Sequence, residues 1–319
     1  MIAVGVTSLL LVGGYGGFVW YVYNEIAAVP GGYGSASDNR PDRFEITSGD
    51  FEGNDTTPYW MGEYENVSID VPDEEIVLDG WFVPGAEEMP VILMVHGVSS
   101  SKASGQLLMV TGMLNRNGFN MLLIDLRDHG LSTMEDGRHS AGVKEYRDVL
   151  AAFDWLQSEK NFSAASIGLY GTSLGAGVVA VAFSEDSSVP CVGMSSPFSN
   201  MQAIAEEEAG YHGMGYLRPV IRHSLTLIPM MGGDDLTSKP PIEAVHNAGQ
   251  RPMFIVHSKL DDRIAIHHTE YFIEEAEKND ANLTTWILDR GGHGQEPFTH
   301  PAELEEKLTT FFDSCLSRR

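Results

Sequence analysis

Residues 166–183 read SIGLYGTSLGAGVVAVAF. The opening six residues, Ser166–Gly171, form a short apolar run of strand length. Leu174–Phe183 is a longer run of small and apolar residues without proline, which reads as a helix. Between them lies Gly171-Thr172-Ser173-Leu174-Gly175, a G-x-S-x-G turn from strand into helix. In a chain with 34 glycines the motif alone would say little, and its flanks give it meaning. A serine in a tight, strained turn at a sheet edge presents its Oγ to solvent, and neighbouring glycines remove Cβ atoms that would collide there. The helix starting at Leu174 turns its free first N–H groups toward the same spot. The bland reading is a glycine-rich turn with a structural serine.

The pattern outside the turn favours the sharper reading. PVILMVH (90–96) is a continuous apolar run, as buried parallel strands are. A helical stretch near 103–117 leads to FNMLLIDL (119–126). Val143, Tyr146, Val149, Leu150, Phe153 and Leu156 follow at helical spacing. Downstream, VPCVGMSS (189–196), RPMFIVHS (251–258) and LTTWILDR (283–290) read as strands, with helices near 266–278 and 301–316. EYENVSIDV and EEIVLDGWFVP alternate polar and apolar residues and predict an antiparallel hairpin at the start. The expected fold class is α/β, a mostly parallel sheet with helices on both faces.

A serine hydroxyl needs a base, and eleven histidines are available. His293 stands in Arg290-Gly291-Gly292-His293-Gly294, just past the last expected strand, and is the chosen base. His300 precedes Pro301 at a helix start; His267 and His268 fall on a helix and both read as surface residues. The imidazole in turn needs a carboxylate to fix its tautomer. Asp261, in His257-Ser258-Lys259-Leu260-Asp261, is the chosen acid, with Asp262 as competitor. The order Ser173, Asp261, His293 suits a nucleophile, acid and base on such a sheet. The loop His96-Gly97-Val98-Ser99-Ser100 can place the Val98 N–H beside that of Leu174 as a two-donor oxyanion hole. His96 reads as structural, and Ser99–Ser101 as a polar loop.

These residues carry a resemblance. The chain is similar to serine hydrolases of the alpha/beta-hydrolase superfamily over about Gly80–Leu316. His96-Gly97, the loop Asp125-Leu126-Arg127-Asp128-His129-Gly130-Leu131-Ser132, Gly171-x-Ser173-x-Gly175, the Asp261 loop and the His293 loop match in order. It most resembles the small-cap branch, with serine aminopeptidase-like and monoacylglycerol lipase-like proteins, and Ser196-Pro197-Phe198-Ser199 fits that branch too. The resemblance implies Ser173, Asp261 and His293 as catalytic residues, Val98 and Leu174 as oxyanion donors, and structural roles for Arg127 and His129. It implies no metal and no organic cofactor, and the scattered histidines suggest no metal-ligand cluster. Ser258 departs from the family, which usually has glycine there.

Residues 198–249 interrupt the alternation and predict one or two amphipathic helices capping the pocket. Met214, Leu217, Ile221, Met230 and Met231 suggest an adaptable apolar wall, or ordinary packing between cap and core. Glu206-Glu207-Glu208 reads as a solvated helix face, with an alternative role in holding a substrate amine.

Met1–Tyr23 has no charged side chain and would run about 34 Å as a helix, enough for a hydrocarbon core of about 30 Å. The expectation is a transmembrane anchor at 1–23, a linker at 24–60 and the hydrolase domain at 61–319. A cleaved signal peptide and a buried helix are the rivals. Arg40 and Arg43, the nearest bases, favour a cytoplasmic hydrolase domain. Gly13 and Gly17 form a G-x-x-x-G pair, a common feature of membrane helices.

Composition sets outer limits. The chain has 45 acids against 20 bases, a net charge of −25, so it repels phosphate backbones and a nucleic-acid partner is excluded. Seven lysines among so many acids would suit a salt-adapted cell. Two cysteines, Cys191 and Cys315, exclude a disulfide scaffold and a multi-cysteine zinc site. The resulting expectation is a membrane-anchored serine hydrolase cleaving acyl or lipid-like carboxylic esters through an acyl-enzyme. The alternatives are an aminopeptidase-like enzyme and a catalytically silent binding protein on the same fold. A dehalogenase or epoxide hydrolase would need a carboxylate at position 173.

Overall fold

The computed structural model describes residues 2–29, 38–47, 49–211 and 213–319. Its strands are β1 Glu65–Asp70, β2 Val77–Val83, β3 Val91–Val95, β4 Asn120–Ile124, β5 Ile167–Thr172, β6 Val192–Ser195, β7 Met253–Ser258 and β8 Leu283–Leu288. The helices are α1 Ile2–Ala27, α2 Gly105–Arg116, α3 Tyr146–Ser158, α4 Leu174–Glu185, α5 Met201–Tyr211, α6 Arg218–Leu227, α7 Glu243–Asn247, α8 His267–Asn279, α9 Glu296–Thr299 and α10 Pro301–Cys315. The expected α/β alternation is present, with strand ends shifted by a few residues.

One sheet holds the strands in the order β1-β2-β4-β3-β5-β6-β7-β8. β1 and β2 pair antiparallel, as does β2 with β4, and the remaining pairs are parallel. Alternate side chains of each strand enter different cores, because strand side chains have a period of two. Val91, Leu93 and Val95 of β3 join α3, α4 and α8 in one core. Ile92 and Met94 join α2 and α10 in the other. Two buried faces explain why these strands read as continuous apolar runs. The path crosses from β4 past β3 to β5, so the carboxyl ends of β3 and β5 stand side by side at the point where strand order reverses. In open α/β sheets ligands bind at that point.

Three expectations are corrected, and one covalent link is added. Among the described residues no helix is long and apolar enough to cross a membrane. α1 extends beyond residue 23, and its C-terminal half belongs to the hydrolase fold. Val19, Tyr23 and Ala27 are 0%, 1% and 0% exposed in the core, and the Tyr15 ring lies 5.8 Å from that of His223. The packed positions, Val19, Val22, Tyr23 and Ala27, lie on one face of α1, and Tyr15, Gly17, Tyr21 and Glu25 are exposed. Gly13 and Gly17 are exposed, and a Cβ on either would meet nothing within 4 Å, so the pair packs against nothing described here.

Of the stretch expected as a linker, residues 38–47 pack against the hydrolase fold. Phe44 is buried in the α2/α10 core, and the Asn39 side chain donates to Glu45 O at 3.0 Å and to Ala103 O at 3.2 Å. The run 206–208 is not a uniformly solvated face. Glu206 pairs with Arg222 at 2.9 Å and Glu207 with His267 at 2.8 Å. Finally, Cys191 and Cys315 are bonded to each other, tying the start of β6 to the end of α10.

Candidate active site

Ser173 sits between β5 and α4 with φ 57° and ψ −120°, a conformation that side chains rarely adopt. Its N–H donates to Ser195 O of β6 at 2.9 Å, which anchors the turn to the neighbouring strand. The two motif glycines are needed for close approach. A Cβ on Gly171 would lie 2.2 Å from Gly175 O, and one on Gly175 would lie 2.4 Å from both His96 O and Val95 O. All three obstacles are backbone oxygens of packed elements, so no side-chain movement relieves them. The absence of that Cβ lets α4 begin against the end of β3. The Gly97 backbone is correspondingly close, since a Cβ there would lie 3.2 Å from Ser173 Cβ. Val98 and Leu174 thus reach the same cavity wall as Ser173.

His293 follows β8 and also lines that cavity. Its Nδ1 donates to Asp261 Oδ2 at 2.8 Å. Asp261 is buried on the loop after β7. Its Oδ1 accepts the N–H groups of Arg263 and Ile264, both at 2.9 Å. Burial pushes its carboxyl up, but hydrogen bonds from His257 and His293 outweigh this and hold it well below the usual carboxylate range. It stays ionised at neutral pH. Asp262, the competitor, is exposed.

The structure supplies partners that the sequence reading missed. His257 Nε2 lies 3.1 Å from Asp261 Oδ2, and His257 Nδ1 lies 2.6 Å from Thr269 Oγ1. A histidine four residues before the acid, at the strand end, is the only sequence signal for it. Ser258, the departure from the family pattern, donates from Oγ to Gly291 O, and its Oγ accepts Leu260 N–H at 3.1 Å. The hydroxyl therefore ties the Asp261 loop to the His293 loop. Glu296, three residues after His293, is buried and accepts from Ser195 Oγ, and burial pushes its carboxyl up.

The remaining candidates fall elsewhere. His96 Nδ1 donates to Gly97 O at 2.8 Å while Nε2 accepts Leu126 N–H at 3.1 Å, and burial pushes the ring's pKa well below its ordinary value. It is a neutral brace between two loops. Arg127 is buried against Asp148, with Nη2 at 2.6 Å from Oδ1, and His129 Nδ1 donates to Arg127 O at 2.8 Å. His300 accepts from Arg290 at 3.1 Å. His267 is exposed as expected, but His268 is buried, which corrects its reading as a surface residue.

Contrary to the reading of scattered histidines, Glu207, His267 and His268 bring ligand-type atoms within 4.8 Å of one another. Ser199 N–H donates to His268 Nδ1 at 3.2 Å, so the ring proton resides on Nε2, the atom facing Glu207. A proton-bearing Nε2 is a hydrogen-bond donor rather than a metal ligand. The donor set fits a latch between α5 and α8 better than a cation site.

Above Ser173 lies a cavity of about 420 Å³. Leu174, Val98 and His293 share its floor with Ser173, while α1, α5 and α6 supply its walls. Of the stretch 198–249, α5 and α6 both contribute to these walls.

This fold defines a class, the serine hydrolases of the alpha/beta-hydrolase superfamily. Within it, the chain belongs to the prolyl oligopeptidase family, whose model matches residues 109–319, more than half of the sequence. The esterase Pf2001 of Pyrococcus furiosus is similar in fold, with a TM-score of 0.63 at 21% identity, covering 87% of this chain and 99% of the esterase. The acylaminoacyl peptidase of Pyrococcus horikoshii gives 0.60 at 16% identity, over 80% of this chain and 42% of that one. The human protein ABHD12B is 27% identical over 116 residues, 35% of this chain and 30% of its own length. The chain spans less than half the length of the curated relatives it matches.

Proposed function

We propose that the protein is an esterase acting on neutral acyl or lipid-like carboxylic esters. Ser173 Oγ attacks the acyl carbonyl while His293 accepts its proton. Asp261 holds the imidazole and stabilises its cation. The N–H groups of Val98 and Leu174 receive the oxyanion. His293 then protonates the departing alcohol, and water releases the acid from Ser173. No cofactor enters this scheme. The observation that carries the ester reading is the cavity wall above Ser173, dominated by Phe18, Val22, Ile204, Leu217 and Ile221. Such a wall suits an alkyl chain better than a peptide.

A peptidase is the second reading, favoured by one observation. Glu208 and Glu25 both line the cavity and are exposed, so a substrate amine would find a carboxylate there. The test is to assay the purified protein side by side on p-nitrophenyl esters and aminoacyl p-nitroanilides. Ester turnover abolished by Ser173→Ala is the expected result. Turnover of the anilides alone would replace the ester reading with the peptidase one, and turnover of neither would leave the silent binding protein. Membrane attachment rests on the uncharged run 1–23, and flotation of the full chain with liposomes tests it.

A further inference from the structure

We propose that α1 is the specificity wall of the active site, and that Phe18, Val22 and Ile26 bear directly on the substrate's acyl chain. This rests on the ester reading above and names the part of the molecule that selects the ester.

The spacing of these three residues is four, so they form one stripe along a helix. All three line the cavity that contains Ser173 and His293. The neighbouring stripe, Val19, Tyr23 and Ala27, is buried in the core and fixes the rotation of the helix about its axis. The C-terminal end is clamped as well. Tyr23 Oη donates to Asp234 Oδ2 at 3.1 Å and accepts the Asp234 N–H at 3.1 Å. Arg138 Nη2 donates to Asn24 Oδ1 at 2.7 Å, and its guanidinium lies 5.5 Å from the Tyr23 ring centre. His139 Nε2 reaches Ile26 O at 3.0 Å, and Val29 N–H donates to Gly137 O at 3.0 Å. A helix held by side chains and backbone at one end presents a fixed face.

That face stands opposite the cap. Ile204 of α5 and Ile221 of α6 line the same cavity, so an alkyl chain leaving Ser173 lies between α1 and the cap. The side chains that α1, α5 and α6 turn to this space (Phe18, Val22, Ile26, Ile204 and Ile221) are apolar. The substrate class is therefore an ester with an uncharged, apolar acyl chain.

The experiment uses the full chain and a series of p-nitrophenyl esters of increasing acyl length, with active sites titrated by a short fluorophosphonate so that only folded protein is counted. The readout is the ratio of kcat/KM on long esters to that on short ones. Phe18→Ala opens the wall and raises this ratio about tenfold, while Val22→Phe narrows it and lowers the ratio about tenfold, the scale of one methylene in an apolar pocket. Gly17→Ala, on the exposed face where an added methyl meets nothing within 4 Å, leaves the ratio unchanged. Ratios that fail to move in opposite directions in the two wall variants overturn the inference. A wild type that cleaves no ester in the series overturns the ester reading first, and this inference with it.

Discussion

The floor and the walls of the cavity are built by different physics. The floor consists of Ser173, the strand-end loops and the Asp261–His293 pair. It is set by backbone contacts with no slack, since a single methyl at Gly171 or Gly175 would strike carbonyl oxygens at 2.2 or 2.4 Å. The walls are α1, α5 and α6, held by apolar burial, the Glu206–Arg222 pair between α5 and α6, and hydrogen bonds at the end of α1. Floor geometry tolerates one solution, whereas wall geometry tolerates many side chains of similar volume. On the proposed reading chemistry and selectivity separate accordingly: substitutions in the floor change whether a bond breaks, and substitutions in the walls change which molecule is presented.

The largest effect that could break this division is at Ser173. Ser173→Ala is expected to lower turnover by about 10⁶ with the thermal midpoint little changed. A comparable loss from any wall substitution would erase the distinction. Next comes Asp261→Asn, which keeps the shape but removes the charge that orients His293. Steady-state kinetics should show a loss of about 10⁴ in kcat.

Gly171→Ala tests the floor by stability rather than rate. Its added Cβ meets backbone, so a loss of about 3 kcal/mol is expected in denaturant unfolding, at the upper end for overpacking. A smaller effect concerns pH. Burial lowers the His96 pKa well below its ordinary value, so the unfolded chain binds its proton first as pH falls. The stability His96 contributes is present above about pH 6.5 and declines below it. Thermal melts should shift down through that window. The smallest effect belongs to the wall clamp. Tyr23→Phe removes the hydrogen bonds to Asp234 and should cost about 1 kcal/mol of stability, with kcat on a short ester largely kept.

The same contrast explains what could be read from sequence. The floor is legible because local rules write it. A strand run, a G-x-S-x-G turn and a small-residue helix are contiguous, and the His293 and Asp261 loops follow strand ends. The brace by His257 was missed because it depends on how a strand end folds back, although its spacing to Asp261 is a hint. The wall is poorly legible. An uncharged helix such as residues 2–23 has the same local pattern whether it faces lipid or protein, and only the distant partners Asp234, Arg138 and Ile221 decide. The same holds for Glu206 and Glu207, whose partners Arg222, His267 and His268 are remote in sequence. Phe44 reads as part of a polar linker because the core it joins is built by remote elements, α2, α10 and the sheet.

The central claim is that Ser173 is a nucleophile activated in place by the His293–Asp261 pair. The most direct measurement is reaction of the full chain with a fluorophosphonate, followed by mass-spectrometric mapping of the adduct. Stoichiometric label on the peptide containing Ser173, absent from Ser173→Ala and strongly slowed in Asp261→Asn, is the predicted result. A folded wild type that stays unlabelled, or that carries the label on another residue, would contradict it.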